Sequence, residues 1–555
     1  MSDALSAGRR LGRYWHTLRH LERSQVLWRL RRQVIRPAPR IVDDATLRPL
    51  SRTWQRCLAK PAGWTDAEHW SCHGQTWHLP AGRAWIAKGM PRLQQYQLHY
   101  LDDLSSATAL ADPMSFAWLV ERWLGDNPRA AGAAWEPYVL SRRIVNFCKW
   151  RHAGGQWGAG LTRSVATQAE LLTRTVEHDV LGNHIIANAA ALVFAGEALA
   201  GNLGKRCLEL GTSLLRTQLA RQVLGDGGHY ERSPMYQAVV VEDLLDVLNV
   251  FGGAEPGLSA SLRGHARHML SWLVSMTMPD GDIALFNDAA FDGCRSTAAV
   301  LGYAARLGID EMSPGGGEGL TVLRESGYVR AQFAPWTLVA DVGDVGPGEQ
   351  AGHAHADTLS FELAVGSSRL FVDPGTSTYE AGPLRGQQRG TEAHNTLCVD
   401  GADSSEVWGA FRTARRARAR LQEATAVGGE VTIRADHDGY ARFPEPVSHT
   451  RTWRVSPRRI AIDDELSGVG AHDVAAGFLL EPRVSARVAG PHEFELLCDG
   501  LKLRMLLDPA LDWHLEDAQW YPRFGQSHAT KRIAGTARVL VPARLACSVE
   551  LALAV

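Results

Sequence analysis

The 555-residue sequence lacks the features that mark several protein classes. Its eight cysteines are scattered without a CxxC pair, which argues against a zinc ribbon or a disulfide framework and favours reduced thiols. No run of about 18 apolar residues occurs, so we expect no transmembrane segment. The N-terminus lacks the apolar core of a secretory signal, and we therefore predict a cytoplasmic protein, with the periplasm as the alternative.

The sequence also has almost no net charge and very little lysine. The 59 basic residues balance 60 acidic ones, which leaves a formal net charge of -1 and excludes binding of nucleic acid or membranes through bulk charge, so any anion site must be local. Only six of the basic residues are lysine, and the other 53 are arginine. The planar guanidinium group suits carboxylate and sulfate groups, although a GC-rich genome produces the same bias.

The hydrophobic pattern changes once along the chain. Between about residues 90 and 310, apolar residues recur at helical spacing. Beyond the glycine-rich segment 313–320, the expected linker, the period becomes two in short runs separated by Gly, Pro and Asp. Such runs predict antiparallel sheets packed face to face. We therefore predict a multidomain α+β protein with a helical domain over 1–315 and a β-sandwich domain over 316–555.

Residues 1–40 form a strongly basic segment with ten arginines and two acidic residues. A helix of this kind can lie on a membrane surface. Our preferred interpretation is a helix packed on its own protein with the arginines in solvent. The apolar residues at roughly helical spacing are Leu11, Trp15, Leu18, Leu27, Leu30 and Val34.

Residues 352–396 hold the densest group of candidate functional side chains. His353 and His355 are two apart, so on an extended segment they point the same way. Asp373 follows an apolar run, and His394 comes 21 residues later. Imidazole nitrogen and carboxylate oxygen are usual zinc ligands. The segment therefore predicts one shared site in preference to separately hydrogen-bonded histidines.

Two segments of the helical half carry further candidates. In LGNHIIANAA, Asn183 could cap a helix, and His184 could be a buried core residue. In DGGHYERSPMYQ, Ser233 and Pro234 have the residue types of an N-cap and a first helical position. Tyr236 then falls in the first turn, where its ring could pack on the apolar stripe. None of these positions is specific by itself.

The order of these motifs is specific when they are taken together. The NH pair, DGxxxExSPxY about fifty residues later, and then GHAHADxLSFEL, VDPGTxxY and RxTxAHNT follow one another along the chain. This order resembles the heparinase II/III family of polysaccharide lyases over roughly residues 90–530. The resemblance implies an incomplete (α/α) toroid followed by an antiparallel two-sheet β-sandwich.

The resemblance also implies cleavage of a uronic-acid polysaccharide by β-elimination. The substrate carboxylate must be neutralised because charge builds up when the adjacent proton leaves. Asn183 matches the family residue that does this, helped by His184. A base takes the C5 proton and an acid protonates the leaving O4. Tyr236 matches the family's acid, which in some geometries also serves as base, and His353 is the second candidate base.

A metal site and anion-binding arginines follow from the same resemblance. The family's metal ligands fall on His355, Asp373 and His394, which would hold one divalent metal, most simply zinc. The metal would tie together strands of the β-domain. The arginines that occupy or flank family motifs could bind substrate carboxylate or sulfate groups, with surface salt bridges as the alternative. They are Arg142, Arg143, Arg385 and Arg389.

Two other functions stay open. A protein that keeps the fold without activity could bind or handle an acidic polysaccharide. A zinc hydrolase would use metal-activated water, and HAHAD resembles the HxHxDH motif of metallo-β-lactamase-like hydrolases, except that Thr358 replaces its last histidine. We expect an acidic polysaccharide or oligosaccharide as substrate, of the bacterial exopolysaccharide type, and no nucleic-acid partner. The particular uronate, endo or exo action and the oligomeric state stay open.

Overall fold

The computed structural model describes residues 2–35, 37–50, 53–83, 85–127, 132–251, 256–309 and 319–552. Helices dominate the first half, whose last helix ends at Arg306, and strands dominate the second half, whose first strand begins at Gly319. The predicted domain boundary at 315–316 and most of the linker predicted at 313–320 lie outside the described residues.

The helical half is built around the helix Gly182–Ala198. Nearly all of its residues are buried, and its run of Ala, Ile, Leu and Val is apolar on all sides, which is typical of a helix in the centre of a core. Helices Pro137–His152, Gly201–Gln222 and Pro234–Phe251 pack against it. The other helices are Ser2–Leu18, Arg23–Val34, Arg92–Tyr100, Ala107–Ala111, Ala117–Asp126, Ala159–Thr175, Pro256–Ser275, Thr297–Arg306 and, in the second half, Pro383–Arg389.

Three larger antiparallel sheets form the second half, as its period of two predicts. In spatial order, the five-stranded sheet contains Gly319–Leu323, Tyr328–Phe333, Trp336–Asp341, Phe361–Val365 and Ser368–Phe371. The eight-stranded sheet contains Ala419–Val427, Glu430–His437, Val447–Ser456, Arg459–Gly468, Ala543–Leu551, Leu501–Leu506, Glu493–Cys498 and Ser485–Gly490. The four-stranded sheet contains Asp512–Trp520, His528–Leu540, Ala471–Leu479 and Leu397–Val399. Small hairpins pair His69–Cys72 with Gln75–His78 and Val407–Trp408 with Arg412–Thr413.

The sheet count differs from the two-sheet sandwich that the resemblance implies. One apolar core takes side chains from all three larger sheets, for example Leu338, Trp453 and Ile533. The five-stranded and four-stranded sheets are joined by a single backbone bridge between Phe371 and Leu480. The five-stranded and four-stranded sheets together form the layer that faces the eight-stranded sheet. This layer is split in two because the backbone pairing between its two sheets stops after one residue pair.

A second core joins the two halves. Trp272 and Phe286 of the helical half pack with Tyr328 and Val339 of the five-stranded sheet. The loop that follows helix Pro256–Ser275 therefore runs along this sheet. It brings residues of the first half into contact with the segment that follows residue 350.

The N-terminal helices Ser2–Leu18 and Arg23–Val34 correct the packing predicted for the basic segment. The six apolar residues of the predicted stripe are all exposed, by between 53% and 85%. The helices contact the protein through other side chains, so the stripe does not serve as their packing face. Among the described residues, no helix is long and apolar enough to cross a membrane.

Candidate active site

Asn183 lies in the first turn of the central helix and is held by Glu231. The Glu231 carboxylate accepts hydrogen bonds from the Asn183 backbone N–H at 2.7 Å and from its side-chain amide at 3.1 Å. Both residues are almost fully buried. A carboxylate is stabilised at this place because the first N–H groups of a helix have no intrahelical partner. The N-cap position belongs to Leu181, so Asn183 is free of the capping role considered from the sequence.

The backbone before Asn183 has an unusual left-handed conformation, and at Gly182 it leaves no room for a side chain. Leu181 and Gly182 have φ of 63° and 60°. A Cβ atom at Gly182 would lie 2.0 Å from Glu231 Oε1. Arg232 and Asn287, each next to an acidic residue of the site, also have positive φ, of 58° and 59°. Backbone strain of this kind collects at functional sites, where the surrounding structure holds it in place.

Tyr236 and His353 meet at the contact between the two halves. Their ring centroids are 4.2 Å apart, although the two residues come from opposite halves of the chain. The Tyr236 and Tyr379 hydroxyl groups share a hydrogen bond of 3.0 Å. Burial, together with Tyr379 and Asp288, raises the pKa of Tyr236 well above its usual value. The phenol is therefore protonated at neutral pH, which suits a general acid.

Asp288 orients His353. His353 Nδ1 donates to Asp288 Oδ2 at 2.8 Å, and the backbone N–H of Asp288 donates to the His353 carbonyl at 2.9 Å. Burial opposes ionisation of Asp288, but Arg385 and hydrogen bonds from His353 and His355 outweigh it and hold the pKa of Asp288 well below its usual value. An ionised Asp288 fixes the proton on Nδ1. It leaves Nε2 as the basic nitrogen, as an oriented general base requires.

His184 lies at the edge of this group. Its Nδ1 is 3.2 Å from Glu177 Oε1, its ring centroid is 4.3 Å from that of Tyr138, and its side chain keeps 26% exposure. Burial disfavours the imidazolium, but Glu177 outweighs burial and raises the pKa of His184. A histidine with a raised pKa can carry positive charge near a substrate carboxylate.

A candidate metal centre lies behind His353. His355, Asp357 and His394 are buried, and one possible ligand atom from each lies within 4.8 Å of the others. His355 Nδ1 and His394 Nε2 have no hydrogen-bond partner among the described residues. The other ring nitrogens are held by carboxylates, His355 Nε2 by Asp288 at 3.0 Å and His394 Nδ1 by Asp373 at 2.8 Å. Histidines that ligate zinc are typically oriented in this way, so these residues fit a divalent metal.

The structure revises the carboxylate of the predicted ligand set. Asp373 is not part of the cluster, because its Oδ2 bonds the far side of the His394 ring and its Oδ1 accepts from the Gly375 N–H at 3.0 Å. Asp357 supplies the carboxylate within the cluster instead. Asp373 thus orients a candidate ligand. His355 and His394 lie where the prediction needs them.

The four predicted substrate-binding arginines are bonded to the protein itself. Three of them have no exposed surface, and the Arg142 side chain is 12% exposed. The partners are Asp243 for Arg142, the His99 and Ala134 carbonyls for Arg143, Asp288 for Arg385, and the Ala354 carbonyl for Arg389. Buried and bonded guanidinium groups cannot reach a polysaccharide in this arrangement. The structure therefore corrects the prediction for Arg143, Arg385 and Arg389. Arg385 and Arg389 instead bond the site segments that carry Asp288 and Ala354.

Sequence reasoning missed the acidic residues that organise the site, and it missed Tyr379. Glu231 and Asp357 stand inside motifs read from the sequence, in ERSP and HAHAD, and Asp288 ends the segment LFND. Their type was visible, but their partners were not, because those partners come from distant segments. The signal that could have found them is an acidic residue within an apolar, helix-starting or extended stretch, where an unpaired carboxylate is costly.

Two family models match the chain. The model described as heparinase II/III N-terminus matches residues 53–304, and the model described as heparinase II/III-like, C-terminal matches residues 315–550. Together they contain every site residue described above.

Curated relatives match the chain over part of their length. FtsZ-localized protein C from Caulobacter vibrioides (strain NA1000 / CB15N) is 24% identical over 394 residues, which is 68% of this chain and 63% of that protein. Heparin-sulfate lyase from Pedobacter heparinus is 26% identical over 242 residues, which is 40% of this chain and 36% of that protein. The matches thus span less than two thirds of either relative.

Solved structures share the fold. The crystal structure of heparinase III superposes with a TM-score of 0.68 at 16% identity, over 84% of this chain and 78% of that chain. Heparan sulfate lyase HepC from Pedobacter heparinus gives a TM-score of 0.57 at 16% identity, over 83% and 75% of the two chains. The mixed helical and sheet architecture is therefore similar to that of heparinase III.

Proposed function

This chain belongs to the heparinase II/III family, and we propose that it is a polysaccharide lyase that cleaves a uronic-acid polysaccharide or oligosaccharide by β-elimination. One observation carries the proposal. A protonated tyrosine, Tyr236, and an oriented imidazole, His353, lie 4.2 Å apart between ring centroids, although they come from opposite halves of the chain. We extend the proposal to the fold, in which the helical half is an incomplete (α/α) toroid.

Asn183 and His184 neutralise the substrate carboxylate in this proposal. The Asn183 amide has two N–H groups, and Glu231 occupies one of them. In the proposal, the other donates to a carboxylate oxygen of the uronate. His184, whose pKa Glu177 raises against the effect of burial, adds positive charge at the edge of the site. Both interactions strengthen as negative charge grows on the carboxylate, which is what lowers the barrier.

His353 and Tyr236 move the protons. His353 Nε2 accepts the C5 proton, and the electron pair of the C5–H bond forms the double bond between C4 and C5. The C4–O4 bond breaks, and Tyr236 gives its phenolic proton to O4. Transfer of the extra proton from His353 to the Tyr236 phenolate, directly or through solvent, restores both groups. No water is consumed, and the products are an unsaturated uronate end and a free hydroxyl end.

The metal centre has a supporting role in this scheme. We propose zinc as the metal, with His355, Asp357 and His394 as its ligands on the protein. Bound there, the metal supplies positive charge that joins the segment carrying His353 to the segment carrying His394. The three ligands are buried, so a polysaccharide does not reach a metal held there, which argues against the hydrolase alternative.

Incubation of the purified chain with a panel of uronate polymers tests the proposal. A lyase produces ultraviolet absorbance from the new double bond conjugated to the carboxylate, and the His353→Ala variant serves as the control. Absorbance that grows with the wild-type chain and not with the variant supports the proposal. Polymer binding without any product on the whole panel would favour the alternative of a non-catalytic carbohydrate-binding protein.

A further inference from the structure

The two N-terminal helices expose an apolar stripe that the protein does not cover. In the first helix Leu11, Trp15 and Leu18 are four and three residues apart, and each of them is more than half exposed. Residues at this spacing share one face of a helix. The second helix repeats the arrangement at residues 27, 30 and 34, where the exposed fractions are 66%, 54% and 85%. Water therefore meets a row of large apolar side chains along both helices.

The same segment carries a high positive charge. Residues 10–35 contain seven arginines, and Glu22 is their only acidic residue. Arg32 pairs with Asp179 at 2.7 Å. The other six arginines are exposed: Arg10, Arg13, Arg19, Arg23, Arg29 and Arg31. Glu22 is bonded to Arg221 at 2.6 Å, so it does little to offset this charge.

The second helix is fastened to the protein by the opposite side. Gln25 donates to the Glu349 carbonyl at 3.3 Å, and the Trp28 ring stacks on His178 at 4.7 Å between centroids. At 3.6 residues per turn these two positions and Arg32 lie about half a turn from the exposed stripe. The stripe therefore points away from the protein while the helix is held in place.

The first helix is fastened in a similar way. Tyr14 packs on Trp408 with ring centroids 4.8 Å apart, and Trp408 Nε1 donates to the Thr17 hydroxyl at 3.2 Å. Tyr14 and Thr17 lie about a quarter turn from the apolar residues of this helix. Both helices thus have one attached side and one free apolar side.

We propose that this basic apolar surface, residues 10–35, binds a membrane surface that contains anionic lipids. Apolar side chains that enter the boundary between headgroups and acyl chains, combined with arginines that contact lipid phosphates, are what interfacial helices use. Trp15 suits that boundary because its ring is apolar and its N–H is polar. The proposal concerns binding on a membrane and is independent of the lyase activity.

Charge complementarity favours this occupant over others. A second copy of the chain would bring two arginine-rich surfaces together, and their repulsion opposes a dimer through this face. A nucleic acid would satisfy the arginines but leave the exposed stripe in water. An anionic bilayer satisfies both the charge and the apolar area.

Sedimentation of the full-length chain with lipid vesicles tests the proposal. We expect the chain to bind vesicles of phosphatidylglycerol and phosphatidylcholine at low salt, and to bind vesicles of phosphatidylcholine alone at least tenfold more weakly. Raising the salt should weaken binding to the anionic vesicles because the arginine contacts are screened. No binding to anionic vesicles at low salt would overturn the proposal.

Matched variants separate this surface from the rest of the chain. Leu27→Glu combined with Leu30→Glu should lower binding to anionic vesicles at least tenfold, and Leu11→Glu combined with Trp15→Glu provides an independent second pair. The control Val427→Glu combined with Leu540→Glu adds the same charge at sites that are 77% and 73% exposed, and it should leave binding unchanged.

Two other results of these experiments would contradict membrane binding through this surface. Equal loss of binding in the control and in both surface pairs would overturn the proposal, because net charge alone would then explain the binding. A dimer that both surface pairs abolish, without vesicle binding by the wild-type chain, would assign the surface to a second copy.

Discussion

Replacing Tyr236 by phenylalanine removes one hydroxyl group from the centre of the site and leaves the ring in place. The ring keeps its contact with His353, because that contact does not involve the hydroxyl. The lost interaction is the 3.0 Å hydrogen bond with Tyr379. If Tyr236 is the general acid, this change abolishes the protonation of O4 and spares the fold.

The two expected magnitudes differ enough to separate the roles. A net loss of one hydrogen bond lowers the free energy of unfolding by about 1 kcal/mol. Loss of a general acid lowers the rate by about a hundred- to ten-thousand-fold, which corresponds to about 3 to 5 kcal/mol in the barrier. A destabilisation of about 1 kcal/mol cannot unfold enough protein to imitate such a loss of rate.

Tyr379→Phe is the matched control. It breaks the same hydrogen bond from the other side and leaves the Tyr236 hydroxyl in place, so its effect on unfolding should equal that of Tyr236→Phe. Its kcat should fall less than tenfold. The assay is the initial rate of ultraviolet absorbance on the polymer that the panel identifies, with thermal unfolding measured on the same preparations.

Three results would refute the reasoning. Near-full activity of Tyr236→Phe would show that another group protonates O4. Equal losses of kcat in Tyr236→Phe and Tyr379→Phe would show that the hydrogen-bonded pair matters and that the Tyr236 proton is not special. Failure of Tyr236→Phe to fold would show that the hydroxyl is a structural element of the core.

Other predictions address the backbone, the metal and the pH dependence of stability. Gly182→Ala should lower the free energy of unfolding by about 2 kcal/mol or more, because it adds a clash with the Glu231 carboxylate to the cost of a positive φ. The control Gly201→Ala has φ of 73° and open space at its Cβ, so it should lower the free energy of unfolding only by the cost of the positive φ. Equal losses for the two variants in urea unfolding would contradict this reasoning. The purified chain should contain about one zinc ion, and His394→Ala should lose it and melt several degrees lower; elemental analysis without stoichiometric metal in the wild type would refute the site. Burial lowers the pKa of His229 from 6.5 to about 4. Between these two pH values the unfolded chain takes up a proton that the folded chain does not. The contribution of His229 to the free energy of unfolding therefore falls as the pH falls from 6.5 to about 4, by on the order of 3 kcal/mol. His229→Gln should flatten the pH dependence of urea unfolding between about pH 7 and about pH 4, and an unchanged slope would contradict the assignment.

The order of helices and strands could be predicted because burial leaves a period in the sequence. The central helix was visible as an apolar run, and the strands as alternating runs. The split of one sandwich layer into two sheets was not visible. It depends on a ladder that stops after the pair Phe371 and Leu480, and a single missing ladder leaves no period in the sequence.

Individual residues of the site could be predicted from the sequence, but the contacts between them could not. Asn183 and Glu231 are 48 residues apart, Asp288 and His353 are 65 apart, and the two tyrosines are 143 apart. Each partner is an ordinary polar residue in its own segment. Only the folded chain shows that these residues satisfy one another.

The arginines and the N-terminal helices show a different limit. A fully buried guanidinium is uncommon, so sequence reasoning places arginine at a surface or on a ligand. Arg389 instead bonds the Ala354 carbonyl inside the protein. An amphipathic pattern likewise gives the same signal for a helix that packs inward and for one that faces outward, and only the exposure of residues such as Val34 decides between them.

Mass spectrometry of the products formed in water enriched in heavy oxygen tests the central claim most directly. Elimination breaks the C4–O4 bond without consuming water, so both products, analysed before their reducing ends exchange oxygen with the solvent, should lack the heavy oxygen, and their masses should sum to the mass of the substrate. Incorporation of one heavy oxygen atom for each bond cleaved would show that the chain hydrolyses its substrate, and it would contradict the proposed lyase mechanism.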